Sequence, residues 1–175
     1  RPGAMQPHAA RILMKILCGA RLARYDLLRA IRGLASCITR WTVVNDRQLC
    51  RLLCYIKSTL KLRLVGYVGD DMAKLVLSLY ADADFAGCPR TMKSTSGIFL
   101  CVHGPSTHFP LAASSKKQTA VSHSTPEAEI IAANAALKQE GIPLMSLWTA
   151  VAGYVPELYF LGGQSGGYPD SQEWP

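Results

Sequence analysis

What this sequence lacks narrows its reading first. No apolar run reaches the length of about 18–20 residues that a membrane-crossing helix needs. The nearest, residues 142–161, is broken by Pro143, Gly153, Pro156 and Glu157 and reads as a buried helix followed by a strand. Nothing near the N-terminus reads as a cleavable leader either, because Arg11 and Lys15 interrupt the apolar candidate there. The expectation is an intracellular protein that is not secreted, with its compartment left open. The six cysteines lack paired spacing. Cys50 and Cys54 fall at i, i+4 on a helical pattern, but no second ligand pair follows at zinc-site spacing. Buried free thiols in a reducing compartment are the better reading.

Acidic residues are scarce in one part of the chain. Residues 1–66 carry thirteen Lys or Arg against Asp26 and Asp46 alone, whereas residues 67–175 carry six basic residues against ten acidic ones. A basic segment joined to an acidic one suits a grip on a polyanion beside a metal-binding centre. Solvated helix faces explain the same basic residues without any ligand.

The basic part has helical periodicity. Residues 8–24 place Ile12 with Ile16 and Leu13 with Leu17 on one face. A second helix is expected from Asp26, as its cap, to about Thr39, and a third from Asn45 or Asp46 to about Thr59. The third turns Leu49, Leu52, Leu53 and Ile56 inward and Arg47 and Arg51 outward. The first seven residues, rich in Pro and Gly, read as an unstructured lead-in. After Lys61 the period changes to that of strands, expected over residues 62–68, 74–82, 97–103 and 109–114. Thr125, as N-cap, and Pro126 open a helix that Gly141 and Pro143 stop. A shorter apolar helix, Leu144 to Val151, and a last strand, Glu157 to Leu161, follow. Residues 162–175 form a Gly/Pro-rich tail. Strands, then helices, then a strand give an α/β fold with an antiparallel part.

The feature richest in chemistry is Tyr80-Ala81-Asp82-Ala83-Asp84-Phe85-Ala86-Gly87. Alternation along a strand sends Asp82 and Asp84 to one face and Ala81 and Ala83 to the other. Two carboxylates so close repel unless a cation joins them. Downstream, Glu127 sits in a helix's first turn, where the dipole favours an acid whatever its function. Glu129 lies beyond that turn, beside small residues that allow close packing on a sheet.

Four segments follow in a fixed order: the strand just named, Lys93-Ser94-Thr95-Ser96-Gly97, Ser114-Ser115-Lys116-Lys117-Gln118, and Ser122-His123-Ser124-Thr125-Pro126-Glu127-Ala128-Glu129. Together they resemble the ribonuclease H domain of copia-type retrotransposon polyproteins. Arg24-Tyr25-Asp26-Leu27-Leu28 and Leu53-Cys54-Tyr55-Ile56-Lys57-Ser58-Thr59 are similar to the end of the reverse transcriptase that precedes it. The likeness spans roughly residues 20–150. It implies a ribonuclease H-like mixed sheet over residues 62–161, preceded by a helical segment over 1–61. It also implies hydrolysis of the RNA strand of an RNA–DNA hybrid by two Mg²⁺ ions. Asp82 and Glu129 would be metal ligands and Asp84 an outer neighbour. Lys116, Lys117, Arg47 and Arg51 are the candidates for nucleic-acid contact. Lys116 and Lys117 read equally well as a solvated loop, and Ser94 and Thr95 read first as turn residues.

The departures from the family are as informative. Its third acidic residue belongs at the end of the last strand, where this chain has Leu161-Gly162-Gly163, and a fourth, on a later helix, has no counterpart. Asp170 and Glu173 stand in the tail and are not recruited. Magnesium keeps several waters and needs few protein ligands, so two carboxylates can hold one ion weakly. The expectation is a catalytically impaired ribonuclease H-like domain that retains hybrid or RNA binding. The alternatives are a co-opted structural subunit of a larger protein assembly, with residues 142–161 and the tail as contact surfaces, and an active Mg-dependent endoribonuclease.

Overall fold

The computed structural model describes residues 1–88 and 90–162; the Gly-rich tail with Asp170 and Glu173 lies outside them. Three helices come first: α1 (Gln6–Ala23), α2 (Leu28–Ala35) and α3 (Val43–Ser58). Their apolar stripes converge. Ala9 and Leu13 of α1, Ile31 and Leu34 of α2, and Leu49 and Leu52 of α3 are buried in one core with Trp41. Leu53, expected inside, is exposed, because the buried stripe of α3 is narrower than its sequence pattern suggests.

Two expectations for this region fail for identifiable reasons. The second helix is not continuous from Asp26 to Thr39. It shrinks to α2, with 3₁₀ turns at Tyr25–Leu27 and Ile38–Arg40. The hydroxyl of Ser36 donates to the Gly33 carbonyl at 2.7 Å, a local bond that competes with continuation of the helix. Asp26 does not cap it either, since its carboxylate accepts from Arg24 at 2.8 Å and from Tyr55 at 3.0 Å. The Arg24 guanidinium beside it holds the Asp26 carboxyl below its ordinary range. Nor is the lead-in loose. The N–H groups of Ala4 and Met5 donate to the Asp46 carboxylate at 2.7 and 3.2 Å, and the Trp41 indole donates to it at 2.6 Å.

The sheet has five strands: β1 (Tyr67–Val68), β2 (Val76–Asp84), β3 (Thr95–Gly104), β4 (Thr107–Lys117) and β5 (Leu158–Gly162). Their order is β1-β4-β3-β2-β5, antiparallel except for β5, which runs parallel to β2. The strand expected over 62–68 is only two residues long, and residues 62–66 are exposed. A β-bulge shifts the β3–β4 register between Leu100 and Cys101, so that Leu111 has no partner across the ladder.

Helix α4 (Thr125–Ala136) covers one face of the sheet. Ala128, Ala132 and Ala136, at i, i+4, i+8, pack on Leu79, Ala81, Ala83, Ile98 and Leu100. Its N-cap is Ser124, one residue before the expected Thr125; the Ser124 hydroxyl accepts the Glu127 N–H. Gly141 does not stop the helix. A widened π-type turn, Leu137–Gly141, runs directly into α5 (Ile142–Ala152). A Cβ at Gly141 would lie 2.9 Å from Leu79 Cδ2, so this glycine serves a close approach to the sheet. Helix α5 is a surface helix: it buries none of its residues fully, although Leu144, Met145 and Trp148 lean on Leu75, Leu77 and Val102. Its exposure corrects the expectation of a buried segment at 142–161. None of the described helices is long and apolar enough to cross a membrane. The opposite face of the sheet receives the N-terminal helices, through Ala113 against their core and an edge-on contact between Tyr25 and Phe99 at 6.2 Å.

Candidate nucleic-acid interface

The four ordered sequence segments meet at one end of the sheet. Ladder partners there are Asp84 with Thr95 and Thr95 with Lys117, one step beyond Ala83 with Ser96 and Ser96 with Lys116. A buried polar network ties these strands to the start of α4. The Gln118 side-chain amide donates to Ser96 Oγ at 3.0 Å and to the Ala128 carbonyl at 2.9 Å, and Ser122 donates to Gln118 Oε1 at 3.0 Å. The Gln118 backbone N–H donates to the Ser94 carbonyl at 2.9 Å, and Ser94 Oγ accepts the Ala86 N–H at 3.1 Å. Ser94, Ser96, Gln118 and Ser122 are all buried. Ser94 is thus a core bracket between the strand loop and the sheet; the turn reading is corrected because its hydroxyl satisfies a backbone donor that no strand reaches.

Gln118→Leu leaves Ser96, Ser122 and the Ala128 carbonyl without their partner in a buried place. A loss of about 2–3 kcal/mol is expected, since stranding buried polar groups costs about 1–3 kcal/mol. Urea unfolding measures it, and an unchanged midpoint would show the network to be idle.

The two N-terminal segments also meet. Arg24 donates to the Thr59 carbonyl at 3.1 Å and to Thr59 Oγ1 at 2.8 Å, lies 5.7 Å from the centre of the Tyr55 ring, and pairs with Asp26 at 2.8 Å. One guanidinium therefore joins the end of α1 to the end of α3.

The acids are arranged differently from the cation-bridged set that the spacing suggests. Asp82 and Asp84 share a strand face, as alternation requires. That face is opposite the one on which Ala81 and Ala83 meet α4, the helix that carries Glu129. Asp82 is exposed and Glu129 partly buried. Asp84 pairs with Arg29 of α2 at 2.5 Å. On the neighbouring strand the ladder partner of Ala81 is Gly162, so β5 brings no carboxylate to this level within the described residues. Among the described residues Asp82, Asp84 and Glu129 do not gather as a set of three. These side chains do not fit a pair of magnesium ions, which needs several carboxylates converging on both cations.

What the Asp82–Asp84 end of the sheet does offer is a basic groove. A cavity of about 600 Å³ lies between α2, the first turn of α3 and the strand ends. Arg29, Arg32 and Lys117 line it, with Thr95, Ser115, Asn45 and Gln48 as neutral hydrogen-bonding groups. Cys88 lines it too. The nearby Lys117 ammonium pulls the Cys88 thiol down to about 6. Asp84 thus holds Arg29 in place and tempers its charge.

Of the expected nucleic-acid contacts, Lys117 lines this groove. Lys116, on the other face by alternation, donates to Gln139 just beyond α4. Arg47 and Arg51 are exposed on α3 and are not among the lining residues. Arg29 and Arg32 escaped the sequence reading. The available signal was their i, i+3 spacing beside Leu28, Ile31 and Leu34, whose burial fixes the opposite face of α2. Comparison with known protein families, with curated proteins and with solved structures finds no match.

Proposed function

We propose that this chain is a ribonuclease H-like domain, similar to that of copia-type polyproteins, which binds an RNA–DNA hybrid or structured RNA and does not cut it. The observation that carries the reading is the meeting of all four ordered segments at one sheet end, beside a groove lined by Arg29, Arg32 and Lys117. A likeness confined to scattered surface strings would have no reason to close into one buried network. The strand order supports it as well: three long antiparallel strands, two helices, and a five-residue strand returning parallel beside the first of them. Phosphates meeting guanidinium and ammonium groups supply affinity, and the neutral groups of the groove can reach sugar hydroxyls. Impaired cleavage follows from the acids, because Asp84 is engaged by Arg29 and β5, within the described residues, sets no carboxylate beside the end of β2. A titration of labelled hybrid across salt concentrations tests the binding, because released counterions make phosphate contacts salt-dependent.

A second reading, a non-catalytic subunit of a larger assembly, is favoured by one observation. Ile142, Leu147, Val151, Val155 and Tyr159 are exposed along α5, the connection after it and the edge strand β5, the kind of apolar area that protein contacts cover. The two readings use different faces, so a groove variant affects the first and spares the second.

A further inference from the structure

We propose that Cys101, His103 and His108 form a Zn²⁺ site in the β3–β4 hairpin, on the sheet face away from α4 and independent of the nucleic-acid reading. Their ligand atoms all lie within 4.8 Å of one another. Cys101 and His103 stand at i, i+2 on β3, hence on one face, and His108 is the ladder partner of His103. The bulge at Leu111 is what draws this part of β4 into place: beyond it, Cys101 pairs with Pro110 and His103 with His108.

The distances suit tetrahedral zinc. With Zn–S about 2.3 Å and Zn–N about 2.0–2.1 Å, sulfur and nitrogen ligands stand about 3.5 Å apart. Cys101 Sγ and His108 Nδ1 are 3.6 Å apart. His103 Nε2 and His108 Nδ1 are 2.8 Å apart, a hydrogen bond without metal, and they part by about half an ångström to accept an ion between them. The outer contacts are also those of a metal site. His103 Nδ1 lies 2.9 Å from the buried Ser78 hydroxyl; a proton on Nδ1 donated there leaves the Nε2 lone pair aimed at the cluster. A half-buried histidine pair beside a buried thiol has the borderline-soft donors that zinc selects over magnesium. Three protein ligands leave a fourth position for water.

The site would pin the hairpin below its bulge, and Ser78 would act as a positioning residue. Co²⁺ is the probe. One equivalent added to the whole chain should give a sulfur-to-cobalt charge-transfer band with the intense visible bands of a tetrahedral ion, and Zn²⁺ should abolish both. Cys101→Ser should remove the charge-transfer band while circular dichroism stays native. Ser78→Ala should keep the band and weaken affinity about 10- to 100-fold. A band that persists in Cys101→Ser, placing the metal on another cysteine, or no band in the native chain, overturns the proposal. If Cys101→Ser does not fold, zinc X-ray absorption of the native chain decides. One sulfur with nitrogen or oxygen neighbours supports the site, whereas no sulfur or several sulfurs refute it.

Discussion

Incubated with labelled RNA–DNA hybrid and Mg²⁺ or Mn²⁺, the chain should leave the RNA strand intact, and Asp82→Asn should change nothing. This is the largest effect the structure implies. Two-metal hydrolysis needs carboxylates that hold both the attacking and the leaving oxygen. Here Asp84 is drawn to Arg29, Asp82 and Asp84 face away from α4, and the strand beside β2 carries Gly162 at the level of Ala81. Ligands of such a centre act as a unit, so a missing partner removes most of the rate rather than a fraction of it. The expected rate is at least about a thousand-fold below that of a complete centre. A denaturing gel of the RNA strand reads the result. Rapid cleavage that Asp82→Asn abolishes would mean that the acids assemble on substrate, and the impaired reading would fall.

The second large effect concerns the groove. Arg32→Ala with Lys117→Ala should weaken hybrid binding by on the order of 10- to 100-fold at low salt, because each removes a charge-assisted contact. Loss of two phosphate contacts should flatten the dependence of log affinity on log salt by about two. Asp84→Asn should move affinity the other way. It removes a negative charge from the groove and frees Arg29, whose pair with Asp84 is largely exposed. Opposite movements in these variants distinguish the groove from a diffuse basic surface. Arg47→Ala with Arg51→Ala is the matched control, on exposed α3 positions outside the groove. An equal loss in that control would spread the interface beyond α2.

Much of the fold was legible because its signals are local. Leu28, Ile31 and Leu34 announce a helix stripe, and Leu77, Leu79, Ala81 and Ala83 announce a strand face. The pairing of Asp82 with Asp84 on one side needs only alternation. Which side α4 would cover is a tertiary matter that alternation does not decide. Ser94 sits in a string of turn formers, and nothing local indicates that its hydroxyl would be buried under the Ala86 amide. Gly141 and Pro143 look like a stop signal, yet the chain turns through them because Leu79 requires a residue without a side chain. The histidines were passed over for a similar reason: without the bulge at Leu111 the ladder would not place His108 beside His103 and Cys101. Arg29 and Arg32 looked like solvated charges until the sheet end supplied the other wall of the groove.

The most direct measurement is fluorescence anisotropy of a labelled RNA–DNA hybrid with the native chain, repeated between 50 and 200 mM salt. With Arg29 held by Asp84, two phosphate contacts from Arg32 and Lys117 predict a log–log slope of about −1.8 or steeper, which is at least about a 12-fold loss over that range. Absent binding, or an affinity indifferent to salt, would contradict the account.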